Sequence, residues 1–134
     1  MFTNIIQLFQ QWSKLKIYIH LNKDSNELYF REKQIWWVSI GQNIGIEANG
    51  KNRSFERPVI ILKKFNAEAF LGVTLSSKKK VGTYYFQLSG NTPKPSFVNL
   101  SQIKLMSSKR LIRKISELPA AEFDTIRRLI KEYL

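Results

Sequence analysis

Residues 45–62 read Gly-Ile-Glu-Ala-Asn-Gly-Lys-Asn-Arg-Ser-Phe-Glu-Arg-Pro-Val-Ile-Ile-Leu, and residues 70–77 read Phe-Leu-Gly-Val-Thr-Leu-Ser-Ser. A polar, cationic loop is thus followed by two apolar runs of the kind that forms strands. Arg57 stands where the first run leaves the loop, and Pro58 fixes φ in a way that suits the first residue of a strand. Ser76 and Ser77 close the second run. Because strand ends beside polar loops commonly present reactive groups, this stretch predicts both strands and a site.

Short apolar runs continue along the chain, separated by Gly, Asn, Pro and Ser. We expect strands near 34–40, 57–63, 69–75, 82–88, 96–100 and 102–106. A turn at 24–26 and a proline-containing loop at 91–95 interrupt the pattern. Residues 111–115 suit either a last strand or a short helix. Many short strands in series favour a closed antiparallel barrel, which removes exposed sheet edges.

An apolar stripe near each end of the chain predicts a helix. The stripes consist of Ile5, Ile6, Phe9, Trp12 and Leu15 within residues 4–20, and of Phe123, Ile126, Leu129, Ile130 and Tyr133 after Pro119. We expect the first helix to dock on the barrel wall, in preference to binding a partner or a membrane surface. The sequence thus predicts one mainly β domain over residues 1–134. It comprises an N-terminal helical extension (1–26), a β-barrel (31–116) and a C-terminal helix (119–133).

Charge and residue types limit the classes of function. The 134 residues include 22 basic and 10 acidic side chains, which give a net charge of +12 and a pI near 10.1. Such a chain favours a polyanionic partner: RNA, DNA, an acidic protein or a membrane surface. With no cysteine and a single histidine, it offers no disulfide, no thiolate metal site and no multi-histidine cluster. We expect no membrane span and no signal peptide, and hence a cytoplasmic location.

Several short motifs together resemble the MazF/PemK toxins of bacterial toxin–antitoxin systems. They are Trp36-Trp37-Val38 with Gly41, Gly45-x-Glu47, Gly50, Arg57-Pro58-Val59-Ile60, Leu75-Ser76-Ser77, Ser101-Gln102-Ile103 and Lys109-Arg110-Leu111, in the order of that family. The resemblance implies a small SH3-like barrel of the MazF/CcdB type and a homodimer. It also implies a metal-independent endoribonuclease that cuts single-stranded RNA such as mRNA, needs no cofactor and is neutralised by an acidic antitoxin.

Cleaving RNA without a metal requires the ribose 2′-OH to attack its own phosphorus. One group must accept the 2′ proton, another must protonate the leaving 5′ oxygen, and positive charge must stabilise the transition state. The resemblance points to Arg57 for this charge, because a guanidinium grips two phosphate oxygens and stays protonated. Judged by position alone, Arg57 would instead be a surface arginine paired with Glu56 or Glu47.

Two further residues of the motifs carry candidate catalytic groups. Ser76 stands where the family more often has Thr, and it keeps a hydroxyl for hydrogen bonding to a phosphate oxygen. Its alternative is a plain turn at a strand end. Glu47 matches the Gly-x-Glu motif, and it could accept the 2′ proton or hold Arg57 in place. The loop between Glu47 and Arg57 is longer than in the shorter family members.

Basic and aromatic residues flank this centre. We expect contacts with RNA phosphates from Lys51, Arg53, Ser77, Lys78, Lys79 and Lys80. Aromatic side chains could stack unpaired bases, although most of them are expected in the core. These aromatic residues are Trp37, Tyr84, Tyr85 and Phe86. His20 lies outside the motifs, and we expect a structural role for it.

Two alternatives to a nuclease remain at this stage. The same barrel occurs in a toxin that poisons DNA gyrase by protein contact, so a non-catalytic binder is one of them. The other is a degenerate member that binds RNA without cutting it, which the serine at position 76 and the long loop keep open. The placement of Arg57 and Ser76 in the motifs argues against the gyrase-type toxin, since a protein-binding surface has no need of a phosphate grip.

Overall fold

The computed structural model describes residues 2–22, 29–90 and 94–134. The turn predicted at 24–26 and the first three residues of the loop predicted at 91–95 lie outside these ranges. The described elements are helix α1 (Phe2–Asn22), strands β1 (Gln34–Ser39), β2 (Glu56–Lys64), β3 (Ala69–Ser76), β4 (Tyr85–Gln87), β5 (Phe97–Ser107) and β6 (Leu111–Glu117), and helix α2 (Ala120–Glu132). The predicted mainly β fold with a helix at each end is confirmed.

All six strands belong to one antiparallel sheet in the order β4-β5-β3-β2-β1-β6. Strands β1, β2 and β3 follow each other in the chain and pair in sequence, because their connections are loops that reverse the chain direction. Strand β6 returns to pair with β1. Strand β1 thus lies between β6 and β2, and the Arg113 side chain of β6 reaches across it to Glu56 at the beginning of β2.

Three strand predictions need correction. The strands predicted at 96–100 and 102–106 are one continuous strand, β5. Val73 of β3 pairs with Ile103 of β5, and Leu75 of β3 pairs with Val98 of β5. The β5 residues between Val98 and Ile103 therefore form a bulge inside the strand. The strand predicted at 82–88 is shortened to β4, since Gly82 has φ +137° and a turn follows it. The ambiguous residues 111–115 belong to strand β6.

Both faces of the sheet carry a buried apolar cluster. One cluster joins β1, β2, β3 and β5 to helix α2 and consists of Ile35, Ile60, Leu62, Val73, Leu75, Leu88, Val98, Leu100, Leu118, Phe123, Ile126 and Ile130. The other consists of Phe30, Trp36, Val38, Ile40, Val59, Ile61, Phe70, Met106 and Leu111. Because neighbouring positions along a strand point to opposite faces, β2 supplies residues to both clusters. The site therefore stands on a sheet that is packed from two sides.

Helix α2 holds to the sheet mainly through Phe123, which is almost fully buried. We expect Phe123→Ala to lower the free energy of unfolding by about 3–5 kcal/mol, because a large buried side chain is replaced by a cavity. Urea denaturation measures this change. Arg128→Ala is the matched control, since its ion pair with Glu132 is solvent-exposed and contributes about 0.5 kcal/mol or less. A change for Phe123→Ala as small as that of the control would contradict this packing.

Helix α1 docks with only its second half. Trp12 and Ile19 are buried beside Phe55, and Leu15 packs partly against them. Ile5 is 51% exposed, and every described side chain from residue 4 to residue 11 is exposed. The predicted docking is thus confirmed for the second half of the helix and wrong for the first half, where the side chains of the stripe are exposed. Within the described residues, no helix is both long and apolar enough to cross a membrane.

Candidate active site

A cleft of about 300 Å³ opens where strand β2 leaves the loop that precedes it. It is lined by Trp37, Lys51, Asn52, Glu56, Arg57, Pro58, Leu75, Ser76, Ser77, Lys94, Ser96 and Ile115. Four of the residues predicted from the sequence, Lys51, Arg57, Ser76 and Ser77, are among them. They meet because β2 and β3 are neighbours in the sheet, so the start of one strand lies beside the end of the other.

Arg57 is held in this cleft by two backbone carbonyl groups. Its Nε donates to the carbonyl oxygen of Asn49 at 2.7 Å, and its Nη1 donates to that of Leu75 at 3.1 Å. Half-burial lowers the pKa of Arg57 through desolvation of the charged form, yet a guanidinium remains protonated at neutral pH. No carboxylate in the described part of the chain forms an ion pair with Arg57. The cleft therefore contains a fixed positive charge that has no ion-pair partner among the described acidic side chains.

Glu56 does not pair with Arg57, although it is the preceding residue. Its side chain is buried and accepts hydrogen bonds from Arg113 on β6, at 3.0 Å and 3.4 Å. The Arg113 guanidinium also lies over the ring of Trp37, 5.1 Å from its centroid. Since β6 pairs with β1, and β1 pairs with β2, the sheet brings these three residues to one wall of the cleft. The surface pairing considered for Arg57 is thus replaced by a Glu56–Arg113 pair.

The two serines differ in their surroundings. Ser76 is half-buried, and its Oγ accepts a hydrogen bond from the backbone N–H of Lys78 at 3.2 Å. A hydroxyl that accepts a bond can still donate its own hydrogen. Ser76 directly follows Leu75, whose carbonyl group binds Arg57, so a hydroxyl and a guanidinium are presented side by side. Ser77 is exposed at the cleft wall.

Loop geometry fixes the carbonyl group that binds Arg57. The N–H groups of Ile40 and Gly41 both donate to the carbonyl of Phe55, at 2.9 Å and 3.2 Å, and the N–H of Gly50 donates to the carbonyl of Gly41 at 2.8 Å. A β-carbon at Gly50 would overlap the Phe55 carbonyl, so only glycine fits this close approach. Gly50 therefore sets the position of Asn49, the residue before it.

Gln102 holds the tip of the same loop from strand β5. Its Oε1 accepts from the N–H of Ala48 at 3.0 Å, and its Nε2 donates to the carbonyl of Ile46 at 3.0 Å. This bidentate contact gives the Gln102 of the Ser101-Gln102-Ile103 motif a structural role. The sequence alone did not indicate that role. The long loop is therefore anchored at its tip as well as at its base.

We expect Gln102→Leu to speed hydrogen exchange at the Ala48 amide by about fivefold, because a hydrogen bond stabilises the folded state by about 1 kcal/mol. Exchange measured by NMR reports this directly. Ser101→Ala is the control, since the Ser101 hydroxyl donates to Asn99 Oδ1 on the same strand, at 3.0 Å. Equal exchange in wild type and Gln102→Leu would contradict an anchored loop tip.

Glu47 lies outside the cleft. Its Oε1 accepts a hydrogen bond from the N–H of Ile44 at 3.0 Å, which closes the turn in which Glu47 itself sits. It lines a second cavity, of about 390 Å³, together with Gln102 and Lys104. Burial lowers the pKa of Lys104, an effect that Arg110 reinforces and Glu47 partly opposes. The structure therefore does not bring Glu47 and Arg57 together, and the catalytic role of Glu47 stays a prediction.

The predicted RNA-binding residues are distributed around the cleft. Lys51 lines it, whereas Lys78, Lys79 and Lys80 are exposed on the segment that follows the Ser76–Ser77 end of β3. Arg53 is exposed on the loop and does not line the cleft. Lys94 lines the cleft and was not predicted, because it lies in a loop far away in the sequence. Lys51 and Lys94 thus share the cleft with the guanidinium, and Lys78, Lys79 and Lys80 follow Ser77 in the chain. These five residues are called the rim lysines.

The candidate aromatic residues and His20 differ in their exposure and in their contacts. Trp37 is half-buried in the cleft wall, and Phe86 packs partly against the core. Tyr84 is exposed and contacts the ring of Tyr133, with 4.9 Å between the centroids. His20 is exposed, and its carbonyl group accepts from Lys109 Nζ at 2.7 Å. Across the described ranges, no group of three or more acidic or histidine side chains is placed to hold a metal ion.

Comparisons of the sequence and of the structure identify proteins that are similar to this chain. The model of the PemK-like, MazF-like toxins of type II toxin–antitoxin systems matches residues 31–134. The structure is similar to MazF (Form-I) from Deinococcus radiodurans, with a TM-score of 0.64 and 16% identity, over 79% of this chain and 97% of that one. It is also similar to the MazE-MazF complex (Form-II) of that organism (TM-score 0.61, 14% identity, 79% and 96% covered).

A third similar structure is an endoribonuclease in complex with its cognate antitoxin from a mycobacterial species (TM-score 0.61, 13% identity, 78% and 93% covered). At identities this low, the structural similarity shows a shared fold. It confirms the MazF-type barrel that was expected from the sequence. The sequence matches no curated protein. Helix α1 lies before the first residue that the family model matches.

Proposed function

This chain belongs to the PemK-like, MazF-like toxins of type II toxin–antitoxin systems, and we propose on that premise that it is an endoribonuclease that cleaves single-stranded RNA. The observation that carries the proposal is the un-neutralised guanidinium of Arg57, fixed by two carbonyl groups in a cleft beside the Ser76 hydroxyl. A fixed cation in a half-buried cleft suits a phosphate group, because it needs no rearrangement when charge develops.

The proposed reaction is an internal transfer within the RNA. The 2′ oxygen forms a bond to phosphorus as it loses its proton, and the bond from phosphorus to the 5′ oxygen breaks. The 5′ oxygen gains a proton. The products are a 2′,3′-cyclic phosphate and a 5′-hydroxyl end, so no external nucleophile and no metal ion enters this scheme.

Arg57 and Ser76 have separate roles in this scheme. Arg57 binds the non-bridging oxygens and stabilises the negative charge that grows on them. Nε and Nη1 donate to the protein, whereas Nη2 has no hydrogen-bond partner among the described residues, and Nη2 is the proposed contact to phosphate. Ser76 donates its hydroxyl hydrogen to a phosphate oxygen while its Oγ accepts from Lys78.

We place the proton acceptor at Glu56, since this carboxylate lines the cleft while Glu47 does not. A carboxylate has four lone-pair sites, so accepting two bonds from Arg113 leaves capacity for a further proton. Glu56→Gln is expected to lower kcat by about a hundredfold, the usual size of one general-base contribution. A loss of kcat in Glu47→Gln that exceeds the loss in Glu56→Gln would return the role to Glu47.

The rim lysines provide the proposed track for RNA phosphates. If Lys51, Lys78, Lys79 and Lys80 each contact a phosphate, the logarithm of the binding constant falls with the logarithm of salt concentration with a slope of about −3. Lys51→Gln is then expected to reduce the slope by about 0.7. Lys131→Gln on the exposed side of α2 is the control. Fluorescence anisotropy with labelled single-stranded RNA measures both slopes, and a slope near zero in wild type would contradict the track.

The proposed partners follow from the same cleft. An acidic antitoxin would neutralise the protein by covering Arg57 and the rim lysines, and two of the similar structures are themselves complexes with antitoxin or MazE. We propose that the toxin acts as a homodimer in the cytoplasm, where mRNA is present. Size measurement in solution tests the dimer.

Incubation with single-stranded RNA in the presence of a chelator tests the activity. We expect fragments that end in a 2′,3′-cyclic phosphate. RNA that is bound and stays intact would support the alternative of a degenerate RNA-binding member. Inhibition of a topoisomerase with intact RNA would support the gyrase-type toxin instead.

A further inference from the structure

Helix α1 lies outside the residues that the family model matches, yet one of its side chains reaches the loop beside the cleft. Trp12 is the most buried described residue of the helix, with 6% of its surface exposed. Its indole ring lies 5.7 Å from the ring of Phe55, between centroids. A β-carbon at Gly41 would overlap the same indole ring, and the φ of +94° at Gly41 also requires glycine. Trp12 thus packs directly on backbone at Gly41.

Gly41 and Phe55 are the two ends of the loop that joins β1 to β2. The Phe55 carbonyl accepts from the N–H groups of Ile40 and Gly41, which closes the base of the loop. The Arg110 guanidinium lies 5.8 Å from the indole ring and donates to the carbonyl of Ser39 at 3.0 Å. The indole ring therefore packs against both ends of the loop and lies close to Arg110, which donates to the β1 backbone.

The contacts continue from this base to the guanidinium in the cleft. The Gly41 carbonyl accepts from the N–H of Gly50, and the preceding residue, Asn49, gives its carbonyl oxygen to Arg57 Nε. Only two hydrogen bonds thus separate the backbone under Trp12 from Arg57. Movement of Gly41 would shift Gly50, and the acceptor on Asn49 would shift with it.

We propose that Trp12 is a positioning residue for Arg57: helix α1 closes the base of the β1–β2 loop and so fixes the carbonyl group that orients the guanidinium. The inference rests on the proposed function, and it assigns to the N-terminal helix a part in catalysis. It also accounts for the docking pattern of α1, in which Trp12, Leu15 and Ile19 face the body of the protein.

The first test is independent of activity. The Nε–H of Arg57 donates to Asn49 in the full chain, so its NMR signal is expected to exchange slowly with water. In Trp12→Ala we expect this exchange to be at least tenfold faster. Ile17→Ala is the matched control, because Ile17 is on the same helix and 59% exposed. Unchanged exchange in Trp12→Ala overturns the inference, whether or not the protein cleaves RNA.

The second test separates positioning from binding. A misplacement of about 1 Å in a catalytic group costs about a hundredfold in rate. We expect Trp12→Ala to lower kcat by about ten- to a hundredfold with less than a twofold change in the Kd for RNA, and Trp12→Phe to restore most of the rate. Faster Arg57 exchange with an unchanged kcat overturns the role in catalysis.

Two further outcomes have defined meanings. If Trp12→Ala does not fold, Trp12→Leu takes its place, since leucine keeps an apolar contact but lacks the flat ring that covers Gly41. If the wild type does not cleave any single-stranded RNA, the nuclease proposal fails, and the exchange of the Arg57 Nε–H alone decides whether Trp12 positions the guanidinium.

Discussion

Arg57→Ala is expected to lower kcat for RNA cleavage by about a thousandfold or more. Loss of a single preorganised donor at a developing oxyanion costs about 10² to 10³ in rate, and Arg57 supplies a full charge as well as a donor. Since its guanidinium forms no ion pair with a carboxylate in the described ranges, its removal leaves no buried acid unpaired. The folded state should therefore tolerate the change, and the loss should appear in the chemistry.

Three measurements distinguish this result from a general loss of structure. Arg57→Lys retains the charge but cannot reproduce the fork that bonds Asn49 and Leu75, so we expect it to recover less than a tenth of the wild-type rate. Arg128→Ala is the control, since Arg128 is an exposed arginine on α2 that does not line the cleft. Thermal unfolding of all variants checks the fold. Wild-type cleavage by Arg57→Ala would contradict the assignment of the cleft.

Gly50→Ala is expected to reduce the cleavage rate almost as much as Arg57→Ala does, although Gly50 is not proposed to contact the RNA. A β-carbon there would overlap the carbonyl of Phe55, which is backbone and cannot rotate away. The loop must move, and the Asn49 carbonyl that orients Arg57 moves with it. We expect at least a hundredfold loss of kcat, the size expected when a catalytic group is misplaced by about 1 Å.

Gly45→Ala is the control for the Gly50 experiment. Gly45 lies in the same loop with φ +56°, but an added β-carbon there meets open space. Its cost is confined to local strain of about 1 kcal/mol, so cleavage should remain close to that of wild type. A crystal structure of each variant would show whether Asn49 has moved. Equal rates for Gly50→Ala and Gly45→Ala would show that the carbonyl does not position Arg57.

The sequence predicted the part of the site that depends on neighbouring strands. Arg57 begins β2 and Ser76 ends β3, and these strands follow each other in the chain, so local apolar runs and turns were enough to place both side chains at one end of the sheet. The second helix was predicted for a similar reason. Its apolar stripe repeats at helical spacing, and the buried residues Phe123, Ile126 and Ile130 follow it.

Contacts between distant parts of the chain could not be predicted in this way. Glu56 and Arg113 meet only because β6 returns to β1, and nothing in either local sequence specifies that pairing. The available signal was Glu56 next to Arg57 at the start of a strand. It suggested that these two residues pair, whereas Glu56 pairs with Arg113. Position 102 was recognised within a motif, but its bidentate contact with the loop needs the three-dimensional register of β5.

Helix α1 shows a further limit of periodicity. An apolar stripe predicts that a helix has a face to bury, but it does not tell how far the opposing surface extends. Here the burial begins at Trp12, so Ile5 and Phe9 continue the stripe with exposed side chains. The break predicted at Ser101, between the strands 96–100 and 102–106, was wrong for a comparable reason, because a bulge inside a long strand and a loop between two short ones have similar sequences.

The most direct test of the central claim is a structure of the protein bound to a single-stranded RNA in which the 2′-OH at the cut site is replaced by hydrogen. Without that hydroxyl the RNA cannot be cleaved, so the complex persists. We expect the scissile phosphate in the cleft, with its non-bridging oxygens within about 3 Å of the Arg57 guanidinium and of Ser76 Oγ. A scissile phosphate seated instead in the cavity beside Glu47, or on the exposed helix α1, would contradict the claim that Arg57 stabilises the reaction.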